Sequence, residues 1–157
     1  MSTFIASLFN LGYSSKAPGT LGSAATMPLI IFVTYFFGFI GLFIVTILLL
    51  IIALYVVDGA LLNTENKDPH YIVIDEAVGQ CITFLAVASA LSSNFTFKTI
   101  VAYIAGFILF RLFDIWKPYP VSYFDEQVEG SKGVVYETVA AGIYAALFLN
   151  IFYLLIP

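Results

Sequence analysis

The stretch "IGLFIVTILLLIIALYVV", residues 40–57, decides the fold class. It carries no charge, and as a helix rising 1.5 Å per residue it would reach about 27 Å, close to the roughly 30 Å hydrocarbon core of a bilayer. Such a segment reads as a membrane-crossing helix. The rest of the chain agrees: of 157 residues, 61% are hydrophobic and 10% charged, and the mean hydropathy is +1.01, values that no water-soluble domain would carry. The expectation is an all-α, polytopic membrane helical bundle forming one domain over residues 1–157.

Working outward, five segments are long and apolar enough, or nearly so, to be membrane-associated helices: Leu21 to Phe37, Ile40 to Val57, Glu76 to Leu91, Thr99 to Phe113 and Glu137 to Ile156. Pro28 predicts a kink or break in the first. Gly38 to Gly41 is a glycine-flanked turn that predicts a helical hairpin between the first two. Residues 1–15 lack a basic region followed by a long apolar run and do not read as a cleaved signal peptide. The single cysteine, Cys81, cannot form an internal disulfide and reads as a small core residue. No basic stripe supports nucleic-acid binding.

With five crossings, the N-terminus and the loops 58–75 and 114–136 share one side. That side takes Lys16, Lys67, Arg111, Lys117 and Lys132 and all ten carboxylates, against Lys98 alone on the other. The bias of basic residues predicts that the charged side is cytoplasmic.

Charges near hydrocarbon are expensive, about 2.5 to 3.5 kcal/mol each at a helix centre, so those beside spans are expected to face a cavity or a partner. Four clusters qualify. "SSKAPGTLGS", Ser14 to Ser23, could bind a phosphate through Lys16, the hydroxyls of Thr20 and Ser23 and amides freed by Gly19 and Gly22; it equally reads as a helix start capped by Thr20 or Ser23. "DEAVG", Asp75 to Gly79, opens the third span, with Asp75 placed to cap and Glu76 on one face with Gln80 and Thr83; acids that merely offset the helix dipole are the plainer explanation. In "FRLFDIWKPYP", residues 110–120, Arg111, Asp114 and Lys117 recur every three residues along the last two turns of a helix. Snorkelling explains the two cations there, but Asp114 opposes the dipole of its own helix end. In "VVYETVAAG", residues 134–142, Glu137 opens the last span. Carboxylates flanked by an Arg fork and a Lys point charge suit a hard ion such as Mg²⁺ together with a phosphate. His70, the only histidine, reads as an interfacial polar residue more than as a base.

At these clusters the sequence resembles the phosphatidylglycerophosphatase A family of bacterial inner-membrane lipid phosphatases. The matching elements are "APGTLGS" (17–23), "DEAVG", "FRLFDIWKPYP" and "YFDEQVEGSKGVVYETVAAG" (123–142), in the family's order over nearly the whole chain. The resemblance implies Mg²⁺-dependent hydrolysis of phosphatidylglycerol phosphate to phosphatidylglycerol and phosphate in phospholipid biosynthesis, at a site facing the cytoplasm. Asp75, Glu76, Asp114, Arg111 and Lys117 would be catalytic. Asp75, Glu76, Asp114 and Glu137 would hold metal, and Lys16, Thr20, Gly22, Ser23, Arg111 and Lys117 would bind phosphate. One departure stands out: Glu137-Thr138 replaces two adjacent aspartates of the family pattern.

Other chemistries fit less well. Cys81 is not followed after five residues by Arg, a histidine mechanism needs more than one histidine, and no Asp-x-Asp occurs, which leaves metal-activated water or attack by Asp75 or Asp114. Asp58-Gly59 resembles the start of a CDP-alcohol phosphotransferase motif but lacks the following Ala-Arg. A small transporter would place polar residues at mid-span rather than at helix ends.

Overall fold

The computed structural model describes residues 1–13, 16–62, 69–92 and 95–156. Among them the elements are α1 (Ser2–Ala6), a 3₁₀ turn (Leu11–Tyr13), α2 (Pro18–Leu61), α3 (Ile74–Leu85), α4 (Phe97–Trp116), α5 (Val121–Gln127) and α6 (Ser131–Leu155), with no strand. Lys67, counted above on the cytoplasmic side, lies outside the described residues.

Three helices, α2, α4 and α6, are long and apolar enough to cross a membrane. Straight, the 44 residues of α2 would span about 66 Å, roughly twice a hydrocarbon core. Gly38 breaks it. Its φ of 58° and ψ of −144° are open to glycine but strained for residues with a side chain. The two ends of α2 then meet the same segment: Gly22 sits against Val73, while Val57 and Ala60 pack with Ile72 and Ile74. The expected hairpin is therefore present, folded at Gly38. The expected break at Pro28 is not, since Pro28 is carried inside a helix that leaves helical angles only at Gly38.

The third expected span needs the largest correction. Its helix, α3, has 12 residues, about 18 Å, and cannot cross a bilayer alone. Turns continue the path, and their Val87, Ala88 and Leu91 are at most 2% exposed. Backbone that leaves the helix at such depth survives because protein, not lipid, surrounds it. Five spans thus become three long helices, the first folded in two, around a short central one.

That central helix is wrapped on every side. Ten of its residues are buried, including Asp75, Glu76, Gln80 and Thr83. Its tightest crossing is with α6, where a methyl group on Gly142 would lie 2.5 Å from the carbonyl oxygen of Gly79; small residues let two helices approach this closely without a hydrophobic drive from water. Outside, Phe36, Ile44, Ile51, Ile104, Ile108 and Ile151 are each more than half exposed, an apolar mantle suited to lipid.

Candidate active site

The start of α2, the start of α3, the end of α4 and the second turn of α6 converge on a cavity of about 350 Å³. α2 begins with Pro18 at its first helical position, where the missing N–H costs nothing, and Ala17 precedes it. Thr20 and Ser23 are therefore inside the helix rather than caps. The Leu21 N–H already bonds Ala17 O at 3.2 Å, which leaves the amides of Gly19 and Thr20 ahead of the intrahelical ladder. Both residues line the cavity. Gly22 does not: it packs against Val73. Lys16 is exposed and lies off the lining, and Ser14 and Ser15 fall outside the described residues.

Asp75 and Glu76 form the first turn of α3; Val73, not Asp75, holds the cap position. Both acids are under 10% exposed and line the cavity. Glu76 Oε2 accepts from Arg111 Nη1 at 2.5 Å and from Ser23 Oγ at 3.2 Å. Ser23 Oγ also lies 2.9 Å from Gly19 O. The fit above Glu76 is so close that a methyl group on Gly19 would stand 2.1 Å from Glu76 Oε1. Deeper along α3, Gln80 Nε2 donates to Gly106 O of α4 at 3.5 Å and Thr83 bonds Gly79 O of its own helix, so neither reaches the cavity.

Arg111 also pairs with Asp114 at 3.1 Å, which accounts for an acid placed against its helix dipole. These contacts run through Nη1, and the buried Nε has no hydrogen-bond partner among the described residues, so the guanidinium keeps unused donors. Lys117 does not continue the row of Arg111 and Asp114. Ahead of Pro118, which disfavours right-handed helical angles, it ends α4 in the left-handed region, with φ 50°. There its ammonium meets Glu137 Oε1 at 2.7 Å and Asp125 Oδ1 at 2.9 Å. Burial works against the Lys117 charge, but hydrogen bonds to Glu137 and Asp125 outweigh it and raise its pKa. Burial likewise opposes ionisation of Asp125, and the Lys117 ammonium overcomes it, lowering that pKa.

α6 begins at Ser131, so Glu137 stands in its second turn and is not a first-turn acid offsetting a dipole. It is buried and lines the cavity beside Thr138. Thr138 and His70 also line the cavity, while Asp125 lies off the lining and reaches it through Lys117. The sequence by itself assigns no role to Asp125 or Thr138, and to His70 only an interfacial one; the acid just beyond the proline turn, in "YFDEQ" (residues 123–127), is the signal available for Asp125. Asp58, the start of the rival phosphotransferase motif, is bonded by Ser131 Oγ at 3.3 Å and lies off the cavity.

Four carboxylates, Asp75, Glu76, Asp114 and Glu137, face two cations, Arg111 and Lys117, across this cavity. The carboxylates outnumber the cations, four to two, so the cavity is net acidic. Among the described residues no three acids, histidines or cysteines converge closely enough to enclose a metal. Carboxylate oxygens are the donors a hard ion such as Mg²⁺ takes, one or two of them, with waters and phosphate oxygens filling the rest of its shell. The donor set therefore fits that ion.

Comparison with known proteins gives the same direction. Residues 4–153 match the family described as Phosphatidylglycerophosphatase A. The Escherichia coli protein of that name is 31% identical over 138 residues, covering 88% of this chain and 75% of its own length. The Haemophilus influenzae protein of that name is 35% identical over 139 residues, with 88% and 80% covered. A Bacteroides thetaiotaomicron protein provisionally named phosphatidylinositol-3-phosphatase is 33% identical over 146 residues, with 91% and 87% covered. No solved structure matches the chain. With the family profile spanning nearly all of its length, the chain belongs to the phosphatidylglycerophosphatase A family and is a phosphatase.

Proposed function

We propose that this enzyme hydrolyses phosphatidylglycerol phosphate to phosphatidylglycerol and phosphate, with Mg²⁺ as cofactor, at the cytoplasmic face of a bacterial inner membrane during phospholipid biosynthesis. The observation that carries the reading is one cavity, at the charged end of an apolar bundle, that holds four buried carboxylates beside Arg111 and Lys117. A lipid's headgroup phosphate meets the protein at such a membrane-surface site while its acyl chains stay in hydrocarbon.

In this reading one or two of the carboxylates Asp75, Glu76, Asp114 and Glu137 are oxygen donors for the ion, which would keep waters and take phosphate oxygens for the rest of its shell. Bound there, Mg²⁺ would neutralise phosphate charge and acidify a water. Arg111 grips phosphate oxygens with donors that its carboxylate partners leave unused, and Lys117 offers a third N–H beyond the two given to Glu137 and Asp125. The amides of Gly19 and Thr20 add neutral donors at the positive end of α2. Water oxygen adds to phosphorus, the bond to the glycerol oxygen breaks, and that oxygen takes a proton as it leaves. The bundle keeps the donors oriented before substrate arrives.

The test is phosphate release by purified protein from phosphatidylglycerol phosphate, phosphatidic acid and phosphatidylinositol 3-phosphate, with Mg²⁺ and with chelator. Release fastest from the first and abolished by chelator is the expected result. A faster phosphoinositide reaction would reassign the substrate, and release that survives chelation would remove the metal.

A further inference from the structure

The cavity is bounded on one side by α2 at residues 17–20 and by α4 at residues 111–115. One helical turn deeper, the same two helices form a second, almost wholly apolar groove of about 490 Å³, lined by Ala24, Met27 and Ile31 on α2 and by Ile100, Ile104 and Phe107 on α4. The spacing of three and four residues keeps Thr20, Ala24, Met27 and Ile31 on one face of α2, and Arg111, Phe107, Ile104 and Ile100 on one face of α4. The groove therefore lies one turn below the cavity along the same faces of α2 and α4, polar above and apolar below.

The groove is open to lipid along its outer side, where Ala24, Ile100 and Ile104 are exposed. Its far end is bordered by Phe95, whose ring lies 5.5 Å from that of Tyr35 and 6.4 Å from that of Tyr103. Tyr103 is held in turn by a 2.6 Å hydrogen bond with Thr34. From Ala24 to Ile31 the rise is about 10 Å, most of one leaflet's share, about 15 Å, of the hydrocarbon core. An apolar groove of about leaflet depth, one helical turn below a polar cavity on the same two helices, matches a lipid phosphate, with its chain in hydrocarbon and its headgroup above.

We infer that the α2–α4 groove seats an acyl chain of the lipid phosphate whose headgroup occupies the cavity. The inference rests on the lipid phosphatase reading and adds to it a chain-binding site. Because the chain is already in hydrocarbon before it enters, the groove contributes position rather than hydrophobic energy: it fixes the depth and orientation at which the phosphate meets Arg111. Ala24, the smallest lining side chain, stands one turn below Thr20, at the junction of the two levels.

The experiment uses the intact protein in nanodiscs, with phosphatidylglycerol phosphate carrying a photoreactive diazirine in mid-chain. Labelled peptides should map to residues 24–31 and 100–107, and excess unlabelled phosphatidylglycerol phosphate should compete while phosphatidylcholine should not. Ala24→Phe should lower the competable labelling about tenfold by filling the junction. Ile143→Phe, on the exposed face of α6, should leave it unchanged. Labelling spread evenly over the outer faces of α2, α4 and α6, or displaced equally by phosphatidylcholine, would overturn the inference in favour of bulk lipid. Phosphate release by the unmodified protein is measured alongside. Release without groove labelling sinks the groove alone, and no release from any lipid phosphate sinks the phosphatase reading beneath it.

Discussion

Replacing Gly19 by alanine should separate stability from activity. The added methyl would lie 2.1 Å from Glu76 Oε1 and 3.2 Å from Arg111 Nη1, so one of these groups has to move. The carboxylate is the far end of a flexible side chain, and a retreat of about 1 Å relieves the clash without shifting backbone. Alanine is also the better helix former, by roughly 0.5–1 kcal/mol. Against this stands the weakening of the bonds that Glu76 makes to Arg111 and Ser23, about 1–3 kcal/mol for a buried polar contact. The two nearly offset, so the unfolding midpoint of Gly19→Ala in detergent should change little, by less than about 2 kcal/mol equivalent. Turnover should not be spared. Glu76 is displaced by about 1 Å and Arg111 with it, and a misplacement of that size in a preorganised site costs on the order of 10²-fold. Phosphate release and thermal unfolding are to be measured on the same preparation. Wild-type turnover with unchanged stability would refute the claim that the Gly19–Glu76–Arg111 contact positions the site, and a protein that no longer inserts would refute the energetic ledger.

Arg111→Lys should be impaired almost as badly as Arg111→Ala, because one ammonium cannot replace a fork shared among Glu76, Asp114 and phosphate; turnover within a few-fold of the parent would remove Arg111 from phosphate binding. Asp114→Asn, Asp75→Asn and Glu76→Gln should each cut turnover by orders of magnitude and weaken the Mg²⁺ dependence, read by titrating the ion against rate. Asp125→Asn should cost less than Glu137→Gln, since Asp125 is a third exposed and pairs with Lys117 at the rim, whereas Glu137 is buried against it; equal losses would contradict that ranking. Cysteines placed at Ser131 and Phe97 should be labelled from opposite sides of the membrane, with native Cys81 silent because it is fully buried; labelling of both from one side would overturn the topology.

The apolar mantle, the hairpin and the gathering of charge at one end were legible in the sequence, because each follows from a cost paid residue by residue. Burying charge in hydrocarbon is expensive wherever it occurs, so Arg111, Asp114, Asp75 and Glu76 announce a polar site without any knowledge of their neighbours. The same local logic placed α4 at residues 99–113, within its observed Phe97–Trp116. It failed where the fold supplies the cover. Residues 76–91 are as apolar as a crossing helix, but apolarity reports depth, not helicity, and surrounding helices let the backbone turn from Leu85 onward. Pro28, read as a kink or a break, lies inside the helix without breaking it, and the reversal comes at Gly38, within the glycine-flanked turn that the sequence marked. Gly22 and Gly19 read alike as amide donors, and tertiary contact alone divides them, the first packed on Val73 and the second over Glu76. The pairing of charges was likewise beyond the sequence. Arg111 meets Glu76 thirty-five positions away, and Lys117 turns from its helix to Glu137 and Asp125. Which acid neutralises which cation depends on helix crossings and on the left-handed end of α4, and these are set by packing over the whole bundle rather than by any local run of residues.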